Sequence, residues 1–181
     1  TMSDGSLEGA YTLHVTGASS SWTGGLIKAG ATLEVDSGGS LLINGAGAKS
    51  LLGALTNNGD IDWQAATVSV DGTTITNADG ATITFANGAV LDDSNSINST
   101  FTNNGTVIIG GVNAIGANTF DVDYAQSSTG ITVFDIQQAA GSAYDQLTIN
   151  GSVSLAGRLG LHRIGGGSIT ASDDYTLLTS S

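Results

Sequence analysis

Leu55-Thr56-Asn57-Asn58-Gly59-Asp60-Ile61-Asp62-Trp63 is nearly repeated as Phe101-Thr102-Asn103-Asn104-Gly105-Thr106-Val107-Ile108-Ile109. A looser copy, Ile75-Thr76-Asn77-Ala78-Asp79-Gly80-Ala81-Thr82-Ile83, lies between them. Each copy places a large apolar residue before Thr-Asn, closes a short polar turn with Gly, and resumes with an apolar residue. The intervals are 20 residues (55 to 75) and 26 residues (75 to 101). Asn-Gly and Asp-Gly are also hairpin signals, but a hairpin protein has no reason to repeat its sequence at that spacing. Self-similarity at such a period marks a solenoid, in which each coil buries its apolar face only against its neighbours.

Composition supports the same class. Of the 181 residues, 11% are charged and 40% are hydrophobic, with 27 Gly and no Pro. Few charges, many turn formers and abundant Val, Ile and Thr describe an all-β chain. The lack of Pro suits uninterrupted ladders, because Pro removes a backbone donor. The predicted fold is an all-β solenoid of about seven to eight coils, at roughly 20–25 residues each. Its inward ladders are expected from Leu33, Leu41, Ile43, Leu55, Ile61, Ile75, Ile83, Phe85, Val90, Phe101 and Val107. The repeated Asn57, Asn77 and Asn103 are expected at corners, where they stack from coil to coil.

Around this centre, strands are expected at Tyr11–Val15, Gly30–Val35, Ser40–Ile43, Thr67–Val70, Thr73–Ile75, Ala81–Phe85 and Ala89–Leu91. Gly17–Ser21 reads as a polar break and Ala46–Ala54 as a helical turn or a flat face. Asp92–Thr100 is the longest polar loop. Residues 1–10 read as an N-terminal edge, like the border of a cloned fragment, and 11–119 as Asn-Gly-rich coils. Residues 120–181 read as further coils of the same solenoid, with longer strands and a wider coil. Phe120–Tyr124 and Ile131–Ile136 each alternate as one strand. The closing Tyr175–Leu178 is strand-like, as in a piece of a longer chain.

The C-terminal third carries a family likeness. Tyr124-Ala125-Gln126, Gly130-Ile131-Thr132-Val133, Tyr144-Asp145-Gln146-Leu147-Thr148-Ile149-Asn150-Gly151, Val153, Leu155-Ala156-Gly157-Arg158-Leu159 and Asp174-Tyr175-Thr176-Leu177-Leu178 resemble the C-terminal part of autotransporter passenger domains. The upstream Asn-Gly coils resemble repeats of filamentous-haemagglutinin-like bacterial surface adhesins. The resemblance implies that the solenoid is a right-handed parallel β-helix, secreted or displayed at the bacterial outer surface. There it would serve as stalk, folding scaffold or adhesive face, without enzymatic activity. It implies a host or environmental surface as partner, glycan or protein, and allows self-association.

Charge narrows the partners further. The net charge is −12, with only Lys28, Lys49, Arg158 and Arg163 positive. Such a chain is repelled by nucleic-acid phosphates and by anionic lipid surfaces. No apolar run approaches the ~20 residues of a membrane span, so no membrane insertion by this chain is expected. Cysteine is absent, which excludes disulfides and thiolate metal sites.

Few residues offer chemistry. His14 and His162 lie in separate strand-like stretches and read as isolated histidines. Asp60 and Asp62 flank Ile61, so alternation places both on one outward face, ~7 Å apart. Two carboxylates at that separation suit inverting glycoside hydrolysis, which makes a polysaccharide-active or glycan-binding β-helix the alternative function. Their simpler role is a solvated face, and no cation stands beside them in sequence. Trp22, in the polar break, is the surface candidate for sugar stacking together with Tyr11, whereas Trp63 shares the inward parity of Ile61. No cofactor is expected. Asp92 and Asp93, with Asp173 and Asp174, are the oxygen-rich candidates for Ca²⁺, although they match neither an EF-hand nor the Gly-Gly-x-Gly-x-Asp repeat. Gly165-Gly166-Gly167 reads as a turn. Outward Thr82 and Thr84 raise a third class, an ice-binding solenoid, against which the uneven 20- and 26-residue intervals count.

Overall fold

A computed structural model describes residues 1–64, 66–93, 98–137, 143–166 and 173–181. Among them the chain winds as a parallel β-solenoid with three faces. The first face stacks Ser6–Leu7, Gly25–Ile27, Lys49–Leu51, Thr67–Val70, Val90–Asp92, Ala117–Phe120, Gln146–Ile149 and Leu178–Ser180. The second stacks Thr12–Val15, Thr32–Val35, Ala54–Asn57, Thr74–Asn77, Thr100–Asn103, Asp123–Gln126 and Val153–Leu155. The third stacks Ser20–Trp22, Ser40–Ile43, Asp60–Trp63, Thr82–Phe85, Thr106–Ile108, Ile131–Gln137 and Arg158–Ile164. The faces are therefore eight, seven and seven parallel strands deep, in keeping with the expected coil number. Ala143–Tyr144 adds an antiparallel strand beside Ile131–Gln137. No helix among the described residues is long and apolar enough to cross a membrane.

The sequence repeat is the structural register. Leu55, Ile75 and Phe101 are consecutive ladder partners, and so are Asn57, Asn77 and Asn103. The 26-residue interval lands on the same ladder as the 20-residue one because the extra residues lie between strands. Toward the C-terminus the interval between ladder partners lengthens: Thr119 pairs with Thr148 and Leu147 with Leu178, against Thr12 with Thr32 at the start.

Alternation gives each strand one buried and one outward set. Leu33, Leu41, Ile43, Leu55, Ile61, Ile75, Ile83, Phe85, Phe101 and Val107 are all buried. Val90 departs from expectation: its parity is outward, and the small Ala89 and the larger Leu91 fill the core on either side of it. Rings form a continuous column inside. Trp63 and Phe85 centroids lie 5.2 Å apart, Phe85 and Phe120 4.8 Å, Phe101 and Phe120 5.7 Å, and Phe101 and Tyr124 5.3 Å. These tilted and edge-on contacts add to area burial.

Beside the rings runs a polar spine. The Asn57 amide donates to Asn77 Oδ1 (2.9 Å) and to Thr82 O (3.0 Å). Asn77 donates to Asn103 Oδ1 (2.9 Å) and Thr106 O (3.0 Å). Asn103 donates to Gln126 Oε1 (3.4 Å) and Ile131 O (3.2 Å), and Gln126 to Arg158 O (3.2 Å). All three Asn are fully buried. Each is the last residue of a strand, and each amide reaches across the turn to the next face, which is why a buried polar residue is tolerated there. The glycine of the turn is required by close approach: a Cβ on Gly59 would stand 2.5 Å from Asp36 O of the coil below.

Three other local readings change. Ser20–Trp22 is a strand and not part of a break, because Trp22 stacks inward under Ile43 and Trp63. Ala46–Ala54 holds no helical turn, since Lys49–Leu51 is a strand of the first face that turns into Ala54–Asn57. Lys49 is buried there because its ammonium donates to Gly45 O and Gly47 O, both at 2.9 Å. Phe120–Tyr124 is two strands meeting at a corner, with Val122 buried between them.

Candidate functional site

The third face carries the two carboxylates singled out by alternation. Strand Asp60–Trp63 buries Ile61 and Trp63 and turns Asp60 and Asp62 outward. In register, Asp60 lies between Ser40 and Thr82, and Asp62 between Leu42 and Thr84. Their ladder neighbours hold no cation. Asp62 accepts a hydrogen bond from Gln64 Nε2 (3.1 Å). It borders a shallow depression formed with Gln64, Thr84, Ala86, Gly111 and the exposed Val112. This floor of short polar and apolar groups can contact a glycan edge. For hydrolysis, one carboxyl must also stay protonated as the acid.

Trp22 is not a surface residue. It is 1% exposed and lies in the inward column with Ile43, Trp63 and Phe85. The serines before it are half-buried strand positions, Ser20 on the parity of Trp22 and Ser21 on the other, rather than loop residues, and this set the wrong expectation. Of the three aromatics considered for sugar stacking, Tyr11 alone is open to solvent, at 70% exposure.

The Ca²⁺ candidates divide. Asp92 is half-buried at the end of Val90–Asp92 and pairs with Ser69. Asp93 is fully buried, and its Oδ2 accepts the backbone N–H groups of Asn98 (2.9 Å) and Ser99 (2.8 Å). That oxygen is engaged by backbone donors, as capping Asp side chains commonly are. Residues Ser94 and Asn95 of the expected loop lie outside the described residues, as does Gly167 of the glycine run. Asp173 and Asp174 are described, at half-buried and exposed positions.

The longest threonine array is on the second face, not around Thr82 and Thr84. One outward column runs Thr12, Thr32, Ala54, Thr74, Thr100 and Asp123, and its neighbour runs His14, Glu34, Thr56, Thr76, Thr102 and Ala125. The parallel ladders hold these side chains at the strand spacing of ~4.8 Å. Sequence reasoning missed the array because the columns require the register across 20 to 26 residues.

A buried acidic clamp in the later coils was also missed. Asp145 is fully buried and accepts hydrogen bonds from Gly116 N (2.8 Å) and Asp135 N (2.5 Å). Asp135 accepts from Ala114 N (3.1 Å), and its other oxygen lies 2.7 Å from His162 Nδ1. Burial pushes the Asp145 carboxyl up to about 6, against the opposing effect of its two backbone donors. The clamp ties the 110–116 loop to the third face. Its carboxylates are engaged by backbone N–H groups and by His162 rather than by open space.

No protein-family profile, curated protein sequence or solved structure matches this chain.

Proposed function

We propose that this chain is a non-enzymatic β-solenoid segment of a secreted or surface-displayed bacterial adhesin or autotransporter-like protein. It serves as stalk, scaffold or adhesive surface. The observation that carries this reading is the interior: rings and the Asn57–Asn77–Asn103–Gln126 spine bind each coil to the next. Such an interior suits a rod that presents long regular faces. The adhesive face of choice is the second, where Thr32, Thr74, Thr100, Thr56, Thr76 and Thr102 form an ordered hydroxyl array on a rigid sheet. Its partner is a glycan or protein of a host or environmental surface, met at many weak points rather than in a deep pocket.

The alternative, a polysaccharide-active or glycan-binding solenoid, rests on Asp60 and Asp62 sharing the third face. One experiment separates the two. Bead-coupled chain is presented to an array of glycans and matrix proteins, and the same glycans are assayed for chain scission. Adhesion without scission, weakened by Thr76→Lys on the second face and indifferent to Asp60→Asn with Asp62→Asn, is the expected result. Scission that disappears in the double Asn variant would replace the adhesin reading with the enzymatic one.

A further inference from the structure

His14, Glu34 and Asp36 come together on the outward side of the first coils. Thr12–Val15 and Thr32–Val35 run parallel in a four-residue register that sets His14 directly beside Glu34, and Asp36 follows at the strand's end. His14 Nδ1 lies 2.9 Å from Asp36 Oδ1 and 3.9 Å from Glu34 Oε2, and one ligand atom from each residue lies within 4.8 Å of the others. Glu34 is itself oriented from outside the trio. Asn58 Nδ2, one coil further on, donates to its Oε1 (2.9 Å) and leaves Oε2 toward the imidazole.

From this arrangement the geometry points to a divalent transition-metal site, with His14, Glu34 and Asp36 as its three protein ligands and the open side left to water or an external ligand. Ligands held ~2.0–2.2 Å from a zinc-class ion stand roughly 3–3.5 Å from one another. The observed separations bracket that value, so a small rotation of Glu34 closes the set. One imidazole and two carboxylates select borderline cations such as Zn²⁺, Co²⁺, Ni²⁺ or Cu²⁺ over Ca²⁺ and Mg²⁺, which take oxygen ligands alone. The ion takes the place of the proton between His14 Nδ1 and Asp36, and the neutral imidazole keeps its proton on Nε2. Parallel strands fix both ligand-bearing backbones. Asn58 does for Glu34 what an outer hydrogen bond does for the ligands of a rigid metal centre. The site lies beside the threonine columns of the second face, with Glu34 next to Thr56, so an ion here is presented on the same surface.

The test titrates the whole untagged chain with Co²⁺ near neutral pH, read by visible absorption, and with Zn²⁺, read by calorimetry. One ion per chain is expected, with ligand-field bands that Zn²⁺ abolishes and that excess Ca²⁺ or Mg²⁺ leaves in place. His14→Ala and Glu34→Gln are expected to weaken binding by at least about tenfold. Metal-free melting should be unchanged in both variants, because His14 is exposed and Glu34 faces outward. His162→Ala should bind as wild type does. Absence of saturable binding, or binding that survives His14→Ala, would reduce the trio to a surface ion pair and overturn the assignment. Equal loss in His162→Ala would move the site elsewhere.

Discussion

Replacing Asn77 by Val tests whether the buried amide spine holds the coils together. Valine is sterically acceptable in this column, since Val15 and Val35 occupy it in the two coils before Asn57. The substitution removes the bond from Asn57 Nδ2 and the bonds to Asn103 Oδ1 and Thr106 O. Asn57 keeps its bond to Thr82 O but has one amide hydrogen left without a partner, and Asn103 Oδ1 loses its donor. Each buried polar group so orphaned costs about 1–3 kcal/mol. With a partial offset from the added methyl groups, the loss comes to about 3–4 kcal/mol. For a chain of this length that is on the order of 8–15 °C in Tm. The double variant Asn57→Val with Asn77→Val gives the sharper readout. The second substitution removes the group that the first left orphaned, so the pair must cost less than the sum of the singles. Differential scanning calorimetry of wild type, both singles and the double measures this. A single-variant shift below about 2 °C, or strict additivity, would refute the idea that the amides act as one connected column.

Two further outcomes follow from the turns and the acidic clamp. Gly59→Ala places a methyl 2.5 Å from Asp36 O and is expected to cost about 1–3 kcal/mol, whereas Gly17→Ala meets nothing within 4 Å and should be neutral or slightly stabilising in the same thermal melts. The Asp145 carboxyl, raised from 3.8 to about 6 in the folded chain, holds an extra proton between those values. Its contribution to stability is therefore fully present below about pH 4 and declines by about 3 kcal/mol as the pH rises to about 6. Carboxyl-carbon NMR should find Asp145 titrating near 6, and an ordinary aspartate titration would remove the effect.

The solenoid was legible because its repeat is literal. Leu55, Ile75 and Phe101, with the Asn two residues after each, are ladder partners one coil apart, so sequence distance reads as register. Alternation likewise oriented Asp60, Asp62 and Trp63 correctly. What escaped was set by neighbours in space. Ser20 and Ser21 look like loop, yet Ile43 and Trp63 above make Trp22 a core residue. Nothing in the sequence marks Lys49 as buried, yet two carbonyls of its own loop let it turn inward. Val90 and Leu91 are both apolar, and packing chose the parity. His14 reads as isolated until the 20-residue coil sets it beside Glu34, a coincidence the repeat length already contained.

The unequal spacing of the ladder partners has a consequence for how such a chain can change. Registry survives intervals of 20, 26 and 29 residues on the second face. Core ladders and corner loops are thus nearly independent: one sets cohesion along the axis, the other what is displayed around it. A peptide grafted at the exposed 17–19 corner, where Gly17 meets nothing within 4 Å, would be carried on the rod without altering the strands above or below, so the molecule is a shelf that accepts new cargo one coil at a time.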